Sequence, residues 1–292
     1  TLYVTLEPCN HHGRTPPCTE AILAAGAARV VIGASDPNRA VKGGGAVRLA
    51  AAGLEVQTGA LAREAEDLNE AFHFFHATGL PWVTLKWAMT LDGCVSTRTG
   101  HSQWITGPAA RRDAHLLRAR HGAVLIGVGT ALADCPRLSV RLPRYHGPQP
   151  VRVVLDSRLR TPPDSPLFGE TASEVWVATC APAKSPRARR LMECGARLLH
   201  FSPAAGGGSV PIRLLLAELA RRGIQSVLVE GGRRVAGAFF AERLVQRVVA
   251  YIAPALFGAS GGHLGPLLGG AVDDAGQAIR LEPPEIRRLG PD

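Results

Sequence analysis

Thr5-Leu6-Glu7-Pro8-Cys9-Asn10-His11-His12-Gly13-Arg14-Thr15-Pro16-Pro17-Cys18 runs from the end of a β-prone segment to the start of a helical one. Eight residues separate its two cysteines. Zinc takes thiolate and imidazole ligands, and a catalytic zinc site keeps one position open for water. A Pro-Cys at a strand end and a second Cys at a helix start can present two thiolates to one ion. Cys9 and Cys18 therefore read as metal ligands rather than as unrelated thiols. His11 and His12 lie inside the intervening loop and read as residues that shape a pocket.

Outward from this stretch the chain alternates. Before it, Thr1–Leu6 reads as a strand, and a chain that begins in mid-strand is expected to lack its N-terminal part. After it, helices are expected over 19–28, 43–52 and 64–76, with strands at 29–33 and 54–56. Gly53 should close the second helix in a left-handed conformation. Gly79-Leu80-Pro81 breaks the pattern, which places a boundary near 78–81 and domains at 1–78 and 82–292. The second domain repeats the alternation. Strands are expected at 82–89, 123–127, 151–155, 175–179, 226–229 and 247–252. Helices are expected at 108–121, 187–194, 212–222 and 234–241. This is an α/β pattern with a largely parallel sheet. The stretches 203–211 and 259–274, rich in small residues, read as the loosest.

Composition narrows the function classes. The 292 residues carry 33 basic and 24 acidic side chains, a net charge of +9, spread without a block of like charge. That distribution disfavours a nucleic-acid stripe and suits a small anionic substrate. No apolar run reaches the length of a membrane span, and no basic-then-apolar leader is present, so a cytoplasmic setting is expected. Six cysteines are too few for a disulfide scaffold and read as thiols or metal ligands.

The zinc nucleobase deaminases carry a comparable Pro-Cys…Cys pair, usually with a shorter spacing, together with His-x-Glu. No His-x-Glu precedes Cys9. The whole stretch 5–18 closely resembles the bifunctional deaminase–reductases of riboflavin biosynthesis. The resemblance continues through Asp36-Pro37-Asn38, Gly43-Gly44-Gly45 and Leu68-Asn69-Glu70-Ala71-Phe72. It resumes at Leu85-Lys86-Trp87-Ala88-Met89-Thr90-Leu91-Asp92-Gly93, Ser102-Gln103-Trp104-Ile105-Thr106, Gly127-Val128-Gly129-Thr130, Ala133-Asp134 and Leu138 to Arg141. Val229-Glu230-Gly231-Gly232 and Ala253-Pro254-Ala255-Leu256 close the set. The resemblance implies a cytidine-deaminase-like domain, here without its first strand and His-x-Glu helix, followed by a dihydrofolate-reductase-like domain. The second domain would use NADPH to reduce the ribosyl group of a phosphorylated ribosylaminouracil to ribityl. A homodimer through that domain is implied as well. By the same comparison the ending, Arg288 to Asp292, stops one strand early, and deamination would need the missing segment.

Several residues carry the reductase expectation. Lys86 is one of only three lysines and lies within an apolar strand, where an unpaired charge is costly. Glu230-Gly231-Gly232 follows a strand and precedes a helix, whose first N–H groups can hold phosphate. Gly127-Val128-Gly129 reads as a turn open to a cofactor. The resemblance places substrate at Ser102, Arg118, Leu138, Arg141 and Glu230. The arginine forks suit its phosphate. It places NADPH at Ala88, Trp104, Thr130, Asp134, Ser157 and the run Gly232, Arg233, Arg234, Val235, Ala236, Gly237 and Ala238. Lys86, Asp134 and Glu230 are the candidate proton donors. Two positions depart from the family: Cys135 stands where a second Asp is usual, and Gln246 where an Asp commonly precedes the last strands. Oxidation of Cys135 near a cofactor is expected to inhibit. The alternatives are a reductase for another pterin or pyrimidine, and a non-catalytic nucleic-acid binder.

Overall fold

The structure, a computed structural model, describes residues 1–13, 15–38, 44–169, 173–203, 208–258, 262–263, 281, 284–290 and 292. Gly43 and most of 259–274 lie outside the described residues, and so outside what was expected of them. The chain divides into two compact units, Thr1–Trp82 and Val83–Asp292.

The first unit contains β1 (Leu2–Leu6), α1 (Cys18–Ala24), β2 (Arg29–Ala34), α2 (Gly45–Ala51), β3 (Glu55–Thr58), α3 (Ala62–Leu68) and α4 (Glu70–Thr78). Its strands form a parallel sheet in the order β1-β2-β3. Ile22 of α1, Val30 and Ile32 of β2 and Leu49 of α2 make its core. Helix α1 is shorter than expected, because Gly26 turns left-handed at φ +67° and its N–H returns to the Leu23 carbonyl. Gly53 adopts the expected left-handed conformation at φ +90°. The single helix expected over 64–76 is two. Asn69 leaves helical geometry and bonds the Ala65 carbonyl at 3.1 Å through its side chain. Asparagine offers the backbone this alternative to a continuous helix.

The second unit contains β4 (Trp82–Thr90), β5 (Cys94–Ser96), α5 (Pro108–Arg120), β6 (Ala123–Gly127), α6 (Val128–Asp134), β7 (Val151–Leu155), β8 (Val175–Thr179), α7 (Pro186–Glu193), β9 (Ala196–His200), α8 (Ile212–Arg221), β10 (Ser226–Val229), α9 (Arg233–Ala241), β11 (Arg247–Ala253) and β12 (Gly262–His263). Seven strands lie in the order β11-β4-β10-β6-β7-β8-β9. The registered pairings β11–β4, β10–β6, β6–β7, β7–β8 and β8–β9 are all parallel. Every residue of β6, β8 and β10 is buried, as a sheet covered on both faces requires. Their side chains join Val154, Leu167 and Leu191 in the main core.

The chain builds this sheet outward from β6 to β9, then returns to insert β10 between β4 and β6. The strand order therefore reverses beside β10. In open α/β sheets the carboxyl ends of strands at such a reversal form a ligand crevice. One departure from the family is accommodated here: Gln246 accepts the Val83 N–H at 2.8 Å and returns its own N–H to the Val83 carbonyl at 3.0 Å. Its amide thus aligns the start of β11 with β4.

His121 locks the end of α5 to β4. One ring nitrogen lies 2.7 Å from the Leu117 carbonyl, which can only accept, and the other 2.8 Å from the Thr84 hydroxyl. The Leu117 carbonyl thus fixes a proton on Nδ1. Burial, the largest influence, pushes its pKa below the ordinary 6.5, although the Leu117 bond works the other way. The neutral folded form makes this contribution to stability full above about pH 6.5 and loses it as pH falls below. The urea midpoint is expected to fall between pH 7.5 and 5.5, and His121→Gln to reduce that fall. An unchanged pH dependence in the variant would contradict this role.

Candidate functional site

A cleft of about 670 Å³ opens in the second unit, lined by residues of β4, α5, α6 and the start of α9. Glu230, the residue after β10, stands in it. Its carboxylate accepts two bonds from the Arg118 guanidinium, Nε to Oε1 at 2.5 Å and Nη2 to Oε2 at 2.9 Å. The third Arg118 donor group, Nη1, bonds the Ser139 carbonyl at 3.2 Å. Lys86 Nζ lies 3.8 Å from Glu230 Oε2 and 5.5 Å from the centre of the Tyr251 ring. Tyr251 is fixed in turn by a 2.6 Å bond from its hydroxyl to Asp113.

The electrostatics follow from these contacts. Burial works to raise the Glu230 pKa, but the Arg118 and Lys86 charges and the Arg118 bonds together hold it well below the usual carboxylate range. Glu230 is an anion. Asp134 lies across the cleft, where burial raises its pKa against the opposing bond from the Ser102 hydroxyl at 3.3 Å. Burial, then the Arg118 and Arg141 charges, push the His115 imidazole down to about 4.

Of the residues expected at the site, Lys86, Ala88, Ser102, Trp104, Arg118, Thr130, Asp134, Leu138, Arg141, Glu230, Gly232, Arg233 and Ala236 line this one cleft. Trp104 stays 69% exposed under the Arg111 guanidinium, 4.6 Å from the ring centre. Ser157 and Arg234 are elsewhere. They line a second cavity of about 340 Å³ with Arg158 and Arg160. Gly237 and Ala238 line neither cavity, and nor does Val235.

Val235 explains the glycines. A Cβ on Gly127 would meet Val235 Cγ2 at 2.7 Å, and one on Gly231 would meet its Cβ at 2.7 Å. The expected open turn at Gly127 is thus corrected: α6 begins at Val128, and the room over Gly127 is filled by α9. The absent side chains let α9 start against two strand ends. Gly232 is its cap, without a side chain to bond the first N–H groups, and no acid occupies the first turn.

His115, Arg111 and Arg137 also line the cleft, and Tyr251 lies beneath Lys86, although none of the four was expected there. Arg111, Ala114, His115 and Arg118 all line it from α5. Their helical spacing was the available signal. The Tyr251–Lys86 contact is a diagonal across β11 and β4, which requires the register.

In the first unit, Glu7 accepts the Ala46 N–H at 3.0 Å and the Asp36 N–H at 3.3 Å. A side chain on Gly45 would collide with the Pro8 carbonyl at 1.8 Å. The Cys18 N–H bonds Cys9 Sγ at 3.3 Å, and the neighbouring Cys9 thiol and then burial raise the Cys18 pKa. The two thiols are adjacent as the sequence suggested. No cluster of three or more His, Cys, Asp or Glu able to hold a metal occurs among the described residues. Two thiols alone do not make a catalytic zinc centre.

Comparison with known proteins agrees with this geometry. The RibD C-terminal domain family model matches residues 81–292. The riboflavin biosynthesis protein RibD of Bacillus amyloliquefaciens is 42% identical over 100% of this chain and 77% of its own length. The structure of Acinetobacter baumannii RibD superposes with a TM-score of 0.86 at 35% identity, covering 99% of this chain and 78% of that one. A Thermotoga maritima structure, a diaminohydroxyphosphoribosylaminopyrimidine deaminase/5-amino-6-(5-phosphoribosylamino)uracil reductase, has a TM-score of 0.77 at 34% identity, over 95% of this chain and 73% of its own. The chain belongs to the RibD family, and residues 81–292 are its RibD C-terminal domain.

Proposed function

We propose that this protein is an NADPH-dependent reductase of riboflavin biosynthesis. It reduces the ribosyl group of 5-amino-6-(5-phosphoribosylamino)uracil to ribityl. The observation that carries this reading is the buried Arg118–Glu230–Lys86 constellation at the carboxyl ends of the central strands. It sits beside a helix start that glycines leave open. The residues fit the cofactor: Gly232 is a bare helix cap whose first N–H groups no side chain bonds, and it lines the cleft with Thr130. Backbone N–H groups at such a cap suit phosphate.

Reduction of a ribosylamine breaks the bond between the anomeric carbon and the ring oxygen. The carbon gains a hydride and the oxygen a proton. NADPH, when bound, supplies the hydride. Glu230 does not supply the proton, because its two cations keep it ionised. We assign the proton to Lys86, held between Glu230 and the Tyr251 face with its ammonium toward the cleft. Asp134 and Ser102 form a hydroxyl-binding pair. Arg141 takes the substrate phosphate, together with the two N–H groups that Arg118 keeps beyond its three bonds.

We assign residues 1–78 to a cytidine-deaminase-like domain and 82–292 to the reductase. Cys9, Cys18 and Glu7 support the first assignment. No deamination step is derived through zinc from the residues present. A cytoplasmic homodimer through the reductase is part of the reading. No helix among the described residues is long and apolar enough to cross a membrane, and the outermost strand β11 exposes 45% of Ile252.

The direct test is NADPH oxidation with the deaminated substrate, which is expected to proceed to completion with one NADPH per substrate. Lys86→Met is expected to lower kcat by about 100-fold or more, the range of a lost acid–base group, with NADPH affinity retained. Gly231→Ala should act oppositely. Displacing Val235 shifts the start of α9, and the Kd for NADPH is expected to rise about tenfold, or ~1.4 kcal/mol. Equal NADPH affinity in Gly231→Ala would remove the helix start from the cofactor site.

A further inference from the structure

Lys86 is drawn to Glu230 but not aimed by it. Its Nζ stands 3.8 Å from Glu230 Oε2, beyond hydrogen-bond distance, and Arg118 already takes both carboxylate oxygens at 2.5 and 2.9 Å. An ammonium on a flexible four-carbon stem is a compact point charge with no direction of its own. Its placement has to come from a second contact.

The strand register supplies that contact. Val249 of β11 is registered with Lys86 of β4, and Tyr251 lies two positions further on. Alternation along a strand puts Tyr251 on the same face as Lys86. The ammonium lies over the tyrosine ring, 5.5 Å from its centre, where a cation is attracted to the ring face. The ring is held in turn at its far end. Tyr251 is buried, and its hydroxyl donates to Asp113 Oδ2 at 2.6 Å. Burial, then the bond to Asp113 and its charge, push the Tyr251 pKa up, so the phenol stays a neutral donor. A phenylalanine would supply the same ring; only the tether needs the hydroxyl.

Asp113 belongs to α5, as does Arg118. One helix therefore holds both groups that flank the ammonium, Glu230 through Arg118 and the Tyr251 ring through Asp113. We propose, resting on the reductase reading, that Tyr251 and Asp113 are positioning residues that aim the Lys86 ammonium at the reacting sugar, with α5 as the common support. Neither residue lines the cleft, so their loss should be felt in turnover and not in the binding of substrate or cofactor.

With only three lysines in the chain, Lys86 can be observed directly. The full chain, isotopically labelled at the lysine ε-carbon, gives an NMR signal for Lys86 that Lys86→Met identifies by its loss. The ring face should shift the Lys86 ε-protons upfield. Tyr251→Leu should abolish that shift. Asp113→Ala should reduce it, and Asp113→Asn, which keeps an acceptor for the phenol, should restore it. A signal unmoved by both Tyr251→Leu and Asp113→Ala would overturn the proposal. In turnover, Asp113→Ala is expected to lower kcat about tenfold, the scale of a slightly misplaced reacting group, with KM and the Kd for NADPH within about twofold. Asp113→Asn should recover most of kcat. In a Lys86→Met background Asp113→Ala should lower kcat no further, because both changes act through the same ammonium. Full kcat in Asp113→Ala, a loss carried by KM, or additive losses in the double variant would each contradict the positioning role. A moved Lys86 signal without turnover would keep the brace and refute the reductase reading, and normal NADPH oxidation with an unmoved signal would do the reverse.

Discussion

The site depends on the ion pair between Arg118 and Glu230. Two charges withdrawn from water are costly unless geometry and further hydrogen bonds compensate. Here both carboxylate oxygens face one guanidinium edge, Lys86 approaches a carboxylate oxygen, and the Ser139 carbonyl takes a further arginine N–H. Because Arg118 belongs to α5, Lys86 to β4 and Glu230 follows β10, one carboxylate ties together three elements distant in sequence. The pair also narrows the chemistry. Glu230, held ionised by its two cations, is removed from the candidate proton donors, which leaves Lys86 and Asp134.

Much of the fold was legible because its central strands are buried along most or all of their length. The runs Ala123–Gly127, Val151–Leu155, Val175–Thr179 and Ser226–Val229 are mostly apolar, Arg152 being the one charged residue among them, and the structure ends them where the sequence suggested. Strand β9 was missed because it lies at the sheet edge, where Arg197 and His200 face solvent and interrupt the apolar signal. Helix α6 was hidden by Gly127 and Gly129. Glycine spells a turn in one dimension, yet here Gly127 serves a close approach from Val235 that only the third dimension reveals.

The site was legible as residue types and not as partners. A lysine inside a strand, an acid at a strand end and glycines before a helix each pointed to chemistry. That Arg118 is spent on Glu230, 112 residues away, could not be read from spacing. The cysteine pair shows the converse. Nine positions apart, Cys9 and Cys18 do meet through the Cys18 N–H. Cys135, the departure from the family pattern, caps α6 in a left-handed conformation at φ +43°, and its exposed thiol lines the reductase cleft.

The reading of a sugar reduction, rather than reduction of the pyrimidine ring, is tested most directly by following the hydride. NADPH carrying deuterium at both C4 positions would be oxidised with the ribosylaminouracil phosphate, and the label located in the product by mass spectrometry and NMR. One deuterium is expected on the former anomeric carbon. Deuterium on the pyrimidine ring, or oxidised cofactor with no label in the product, would contradict it.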